Sequence, residues 1–391
     1  MTAARDAWNK HIHAFVALSE APAKAGPLGD LTVGVKDNID VAGLPTRNGS
    51  AACANALPAE KDATVVQRLR DAGARIIGKT TTTEFAFTDP TSCRNPHDLA
   101  RSPGGSSSGS GAAVGAGILD FALGTQTAGS LIRPAAYCGA VGFKPSIGLL
   151  PMDGVTPLAS SFDTVGIIAR NVDLARRAFA IMAPSASITH PHTRDVLCGL
   201  WDTAVAVPPD WMEALDGARN ALAGFSDVAK EVLPTDVDTV VKGHRIVMCA
   251  EAYAAHRAFL DEKADILQPR FRAGLEAGRT VDDGEVAAAR DRLTRARLAF
   301  WKAMTSTDLI LTLPVPEGAP LMVGTTGYQD WLTPWTAFGG PLVCLPWGID
   351  ALSRPRSIML AAHPGQDEFL LTMAACLEAH APTLPAPQLP L

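Results

Sequence analysis

One stretch constrains this chain more than any other: Pro103-Gly104-Gly105-Ser106-Ser107-Ser108-Gly109-Ser110-Gly111. Such a run is either a flexible linker or a place where backbone must come unusually close to something. A linker should lead into a change of composition and a new domain. Here Ala112-Ala113-Val114-Gly115-Ala116-Gly117-Ile118-Leu119 follows directly and continues into helix and strand. The glycines therefore read as permitting close approach and positive φ inside a packed site. Enough apolar material surrounds them to build one, since 47 % of the 391 residues are hydrophobic and only 19 % are charged. That balance excludes wholesale disorder and allows a large core.

The rest of the chain alternates strand-like and helix-like segments. Residues 31–36, Leu-Thr-Val-Gly-Val-Lys, alternate like a strand and then meet Asp37-Asn38. Asp62 is placed to N-cap a helix carrying Val65, Val66 and Leu69, which stops near Gly73 before a short buried strand at Ile76-Ile77. Residues 112–118 read as helix, 121–123 as extended, and 131–137 are punctuated by Pro134. Between 250 and 304, Val286, Ala289, Leu293, Ala296, Phe300 and Met304 recur at helical steps as one apolar face. Arg290, Arg292, Arg295 and Arg297 fall on the opposite face, which reads as solvated rather than RNA-binding. Apolar strands return at 309–313 and 342–345, and the proline-rich tail 381–391 reads as a surface strap or loose end. No repeat or linker interrupts the pattern, so one α/β domain is expected.

Several function classes fall away on charge and motif. Lys+Arg 34 against Asp+Glu 40 gives −6, so no global basic field recruits nucleic acid or anionic membrane. The N-terminus is charged within six residues and leads into no apolar signal segment, and the two long uncharged runs are broken by Gly, Ser or Pro. The seven cysteines are scattered with no C-x-x-C, which fits buried free thiols in a reducing cytoplasm rather than a zinc site or disulfide framework. Gly73 to Thr80 matches the phosphate-loop pattern letter for letter. Its context is wrong, because a helix precedes it and its middle is the strand-like Ile76-Ile77. No S-x-x-K occurs, and no H-E-x-x-H or comparable metal cluster is present. His97 and His363 stand beside prolines and polar residues and read as structural.

What survives is the glycine–serine stretch together with Gly124-Thr125-Gln126-Thr127-Ala128-Gly129-Ser130 and Arg133-Pro134. With Gly34-Val35-Lys36-Asp37-Asn38 upstream, these segments resemble the amidase signature family. Further matches are Gly78-Lys79-Thr80, Glu84-Phe85-Ala86, Arg94-Asn95-Pro96, Cys138-Gly139, Gly142-Phe143-Lys144-Pro145 and Asp163-Thr164-Val165-Gly166. The likeness is dense over about 28–175 and sparse near 308–314 and 339–348. It implies a single large α/β domain spanning 1–391, with a central mixed twisted β-sheet covered by helices on both faces. Residues 28–175 would form the signature core, about 176–335 the substrate-shaping part, and 381–391 the tail.

The resemblance also implies a Ser–cis-Ser–Lys triad. Ser130 would be the nucleophile, Ser106 the bridging serine following a cis peptide, and Lys36 the base. A serine hydroxyl is a weak nucleophile until a neighbouring base removes its proton. A lysine can serve at neutral pH only if burial lowers its pKa. Backbone N–H groups of Thr127, Ala128, Gly129 and Ser130 would form the oxyanion hole. Ser107 and Ser108 read as capping or loop-bonding residues, and Lys79 as a structural partner. Two departures stand out. Gln126 replaces the family's usual Asp, and Arg133 comes three places after the nucleophile where an Arg commonly comes two after. The second resembles the small-substrate branch typified by malonamidase, in which Arg133 would offer a bidentate fork to a substrate carboxylate. The implied activity is hydrolysis of a small carboxylate-bearing amide, malonamate- or ureido-acid-like. No cofactor, metal, nucleic acid or membrane is expected, and a homodimer rests on analogy alone. The alternatives are the amidase subunit of an RNA-dependent amidotransferase complex and a non-catalytic scaffold of the same fold. Trp331, Trp335 and Phe338 read as core aromatics, with pocket lining as the competing assignment.

Overall fold

The computed structural model describes residues 2–19, 22, 24–184, 195–224 and 227–389. Among these, eleven strands form one mixed sheet. They are β1 Phe15–Leu18, β2 Thr32–Lys36, β3 Arg75–Thr80, β4 Phe121–Gln126, β5 Val141–Lys144, β6 Thr164–Ala169, β7 Asp195–Trp201, β8 Asp227–Leu233, β9 Leu309–Thr312, β10 Leu342–Ile349 and β11 Pro355–Ala361. Their spatial order is β1-β3-β2-β4-β6-β5-β10-β11-β9-β7-β8. Strands from the first 170 residues fill one side of the sheet, and the antiparallel β5–β10 pair joins them to the other side.

The helices flanking this sheet are α1 Thr2–Ile12, α2 Thr64–Asp71, α3 Ser108–Gly115, α4 Ile132–Tyr137, α5 Val172–Met182, α6 Pro209–Leu222, α7 Val237–Lys263, α8 Pro269–Thr280, α9 Asp283–Ala303, α10 Thr333–Phe338 and α11 Asp367–Glu378. One large apolar cluster runs from Trp8 to Leu377. A smaller one, including Phe85, Leu260, Phe271 and Leu275, seats the α7–α8 pair on the segment 84–86. Its centre is the stacked pair Phe85–Phe271, 4.7 Å apart. No helix among the described residues is long and apolar enough to cross a membrane.

The structure corrects several local expectations. Thr32–Lys36 is buried at every position because β2 is an interior strand, parallel to both β3 and β4. Strands covered on both faces need not alternate. Asp62 does not cap α2. The N-cap is Ala63, without a side-chain bond, and the Asp62 carboxylate accepts instead from Ala42 N and pairs with Arg70. Gly73 to Thr80 forms a turn and then β3, with Gly73 at φ +94°. Arg290 and Arg295 are exposed and pair with Glu251 and Asp291, but Arg297 is half-buried with its guanidinium packed under Gly339. All seven cysteines are free thiols; five are buried, whereas Cys53 is half-buried and Cys376 is exposed. The tail has no regular structure over 381–389, and positions 390 and 391 lie outside the described residues.

Candidate active site

The site lies where β2 and β4 end. The two strands run parallel with Val35 opposite Leu123, which brings Lys36 and Thr125 to the same carboxyl edge of the sheet, within hydrogen-bond reach. Crevices of this kind in α/β sheets are where ligands bind. Lys36 is fully buried, and its Nζ bonds to Ser106 Oγ at 2.7 Å and Thr125 Oγ1 at 2.7 Å. Burial lowers its pKa from 10.5 to about 7, against the opposing charge of Asp163. An amine in that state is part neutral at physiological pH and can take a proton.

Ser106 sits on the glycine–serine stretch, which passes beneath the sheet end and enters α3. The Gly105–Ser106 peptide is cis, and Thr83 N donates to Ser106 O at 3.2 Å. The glycines there answer close approach. A Cβ on Gly109 would lie 2.2 Å from Ala14 O and 2.4 Å from Thr81 N. Ser107 and Ser108 fasten the stretch. Ser107 Oγ bridges Thr125 N and O, and Ser108 Oγ donates to Gly104 O at 2.8 Å. Neither caps α3 in the usual manner.

Ser130 lies at the end of the turn that follows β4 and is 7 % exposed. Ser107 N donates to Ser130 O at 3.0 Å, which ties the two serine-bearing loops together one residue from Ser106. The turn owes its shape to Gln126. Its Oε1 accepts from Leu131 N and Ile132 N, both at 3.0 Å, and its Nε2 donates to Thr336 Oγ1 at 2.9 Å. An amide can accept at one end and donate at the other, whereas an ionised carboxylate only accepts. That accounts for the glutamine. With the turn closed by a side chain, the N–H groups of Thr127, Ala128, Gly129 and Ser130 donate to no protein acceptor among the described residues. They are left free beside Ser130.

Three groups that sequence reasoning missed hold this turn and the lysine in place. Asp163 Oδ1 accepts from Thr127 Oγ1 at 2.5 Å, while its Oδ2 accepts from Leu158 N and Ala159 N. Burial raises the Asp163 pKa to about 6, opposed by those bonds and by Lys36. His244 Nε2 lies 2.8 Å from Thr127 O, and Asn38 Nδ2 donates to Thr125 Oγ1 at 3.1 Å. Asp163 and Asn38 stand inside quoted motif segments, so the sequence offered them. His244, more than a hundred residues downstream, carried no local signal.

Lys79 is likewise buried. It pairs with Asp37 at 3.1 Å and donates to Thr46 Oγ1 at 2.8 Å, bracing the turn beyond Lys36. Arg133 is 2 % exposed, with Nη2 donating to Gly105 O at 2.5 Å and Nη1 to Tyr328 O at 3.4 Å. Its guanidinium thus grips the residue preceding Ser106. His97 and His363 bond to main-chain carbonyls, of Cys138 and of Met304 and Thr307. Trp331, Trp335 and Phe338 are buried. Trp335 packs 4.5 Å from Trp201, and Phe338 stacks 4.4 Å from Phe300.

A cavity of about 750 Å³ adjoins the turn at Ala128. Its wall is built from Val241, His244, Arg245, Met248 and Cys249 of α7 and from Arg270, Ala273, Gly274 and Ala277 of α8. Glu317, Thr325, Tyr328 and Asp330 close it from the segment preceding α10. Arg133 and the three core aromatics are not among the residues lining it.

Comparison with known proteins bears on this geometry. The family model described as Amidase matches residues 7–371. A glutamyl-tRNA(Gln) amidotransferase subunit of Alkaliphilus metalliredigens is 30 % identical over 411 residues, covering 90 % of this chain and 83 % of that protein. The corresponding subunit of Natronomonas pharaonis is 38 % identical over 260 residues, covering 59 % of this chain and 60 % of that protein. Among solved structures, a crystal structure of an amidase is 28 % identical with a TM-score of 0.83, over 97 % of this chain and 94 % of the other. A chain from a vestigial protein complex, described for the origins of an s-triazine catabolic enzyme, is 26 % identical with a TM-score of 0.88. That likeness spans 98 % of this chain and 94 % of the other.

Proposed function

The chain belongs to the amidase family, and on that premise we propose that it cleaves the C–N bond of an amide through an acyl-enzyme on Ser130. The observation that carries the reading is the buried Lys36 Nζ, 2.7 Å from Ser106 Oγ, with a pKa lowered to about 7. Ser130 Oγ attacks the amide carbonyl carbon, and its proton passes through Ser106 to neutral Lys36. The tetrahedral oxygen takes hydrogen bonds from the free N–H groups of 127–130. One such donor is typically worth about 2.7–4 kcal/mol. As the C–N bond breaks, the leaving nitrogen receives the proton from Lys36 through Ser106. Water, deprotonated by the same relay, then cleaves the ester to release the acid and restore Ser130.

Residues 28–175 supply every group in this sequence of steps, and the cavity wall comes from the part after 175. A volume of about 750 Å³ falls within the ~300–1,000 Å³ usual for ligand pockets. It has room for an acyl group longer than malonamate. The carboxylate end suggested by the malonamidase likeness would be met by Arg245, which lines the cavity beside Asp330, whose carboxyl pKa burial pushes up and the Arg245 charge holds down. We assign Arg133 to the loop instead, because its Nη2 and Nη1 bond to Gly105 O and Tyr328 O, while its Nε is buried without a partner among the described residues. Free thiols fit work in a reducing cytoplasm.

A hydroxylamine-transfer assay over a panel of primary amides, graded in acyl length and with or without a terminal carboxylate, tests the proposal. Hydroxamate should form with the wild type and vanish in Ser130→Ala, and full activity in that variant would sink the assignment. Arg245→Ala should raise KM for the acidic amides only. A second reading is favoured by the amidotransferase relatives: an amidase subunit that works within a tRNA-dependent complex. Stable co-purification of a partner protein or tRNA with the tagged chain would select it.

A further inference from the structure

The carbonyls of the Ser130 turn are each held by a donor, two of them from distant helices. Thr127 O accepts from His244 Nε2 at 2.8 Å. Ala128 O accepts from Thr336 Oγ1, which itself accepts from Gln126 Nε2. Gly129 O accepts from Arg133 N at 3.1 Å. A trans peptide is planar, with its C=O and the next N–H directed oppositely. Pinning the carbonyls of 127, 128 and 129 therefore fixes the directions of the N–H groups of 128, 129 and 130. Thr127 is held twice, at its hydroxyl by Asp163 and at its carbonyl by His244. The His244 ring is only 2 % exposed and packs 4.2 Å from Phe162, so it has little freedom to yield. Because Thr127 O can only accept, Nε2 carries the proton.

We propose that His244 is a positioning residue for the oxyanion hole, aiming the Ala128 N–H through its bond to Thr127 O. The inference rests on the assignment of Ser130 as nucleophile. It gives the substrate-shaping α7 a direct hold on the chemistry, since the same ring lines the cavity. An acyl group pressing on that wall reaches the oxyanion donors through a single hydrogen bond. His244 itself touches no reacting atom.

The test compares His244→Gln with His244→Asn in the full-length protein. Glutamine places an N–H donor near the position of Nε2, and asparagine falls short of it. Labelling of Ser130 by a fluorophosphonate, which builds negative oxygen at the same donors, is read as a second-order rate. His244→Asn should label about 10²-fold more slowly, the cost of a misaimed donor. His244→Gln should stay within about tenfold of wild type. With hexanamide as the amide probe, the loss in His244→Asn should appear in kcat and not in KM, because ground-state binding does not use the oxyanion donors. Equal labelling rates for the two variants, or a loss confined to KM, would overturn the proposal. Ser130→Ala runs beside them: labelling that persists there defeats the nucleophile assignment itself, whatever the histidine variants do.

Discussion

The loops that carry Lys36, Ser106 and Ser130 and the cavity wall are built on opposite plans. Around Lys36, Ser106 and Ser130 the polar side chains are buried: Ser106, Ser107, Ser110 and Gln126 are all fully buried, and the N–H groups of 127–130 are left without acceptors among the described residues. The cavity wall is looser. Arg245, Arg270 and Glu317 are exposed, Asp330 is half-buried, and Val323 nearby is 81 % exposed. A reaction common to many acyl groups needs donors fixed in advance, because stabilisation is largest where no reorganisation is needed. The choice of acyl group can be left to packing, where one methylene is worth about 1–3 kcal/mol.

The two regions should therefore fail differently. Ser130→Ala should cut amide turnover by at least ~10⁴-fold with the thermal unfolding midpoint unchanged. A similar loss after any substitution in the cavity wall away from His244 would blur the division. Lys36→Met should lose about 10³-fold or more. In the wild type, kcat/KM should rise with pH through about 7, because Lys36 accepts a proton only in its neutral form, which dominates above its lowered pKa. A profile flat from pH 6 to 8 would contradict its role as base.

Gln126→Leu probes the architecture rather than the chemistry. It strips the acceptor from Leu131 N and Ile132 N and the donor to Thr336. Leaving a buried N–H unpaired costs about 1–3 kcal/mol, so with two such groups denaturant titration should show a loss of roughly 2–6 kcal/mol. A neutral result would mean the turn holds itself. The smallest effect belongs to the wall. A Cβ on Gly274 would lie 2.5 Å from Phe87 Cζ, and both residues line the cavity. Gly274→Ala should displace that ring and raise KM for long-chain amides by about tenfold, with little change for acetamide.

Legibility in the sequence follows the same division. Lys36, Ser106, Ser130 and the turn between Gln126 and Leu131 stand in short segments dense in glycine, serine and threonine. The family pattern therefore points to them residue by residue. The strands around them are legible too, apart from β2, whose apparent alternation hides burial on both faces. The Asp62 cap fails because its carboxylate has nearer partners in Ala42 N and Arg70. His244 and Thr336 are invisible for a different reason. Each reaches the turn from across the fold, at separations of 117 and 208 residues. No local spacing encodes a contact made by tertiary packing. Gln126 stands out as a departure from the pattern, but its purpose needs Thr336 in place beside it.

The most direct measurement of the central claim is peptide mass spectrometry after fluorophosphonate treatment across a pH series. The account expects one adduct, on the peptide carrying Ser130, forming faster as pH passes through about 7 and nearly abolished in Lys36→Met. An adduct on another residue, or one on Ser130 at the same rate in Lys36→Met, would contradict it.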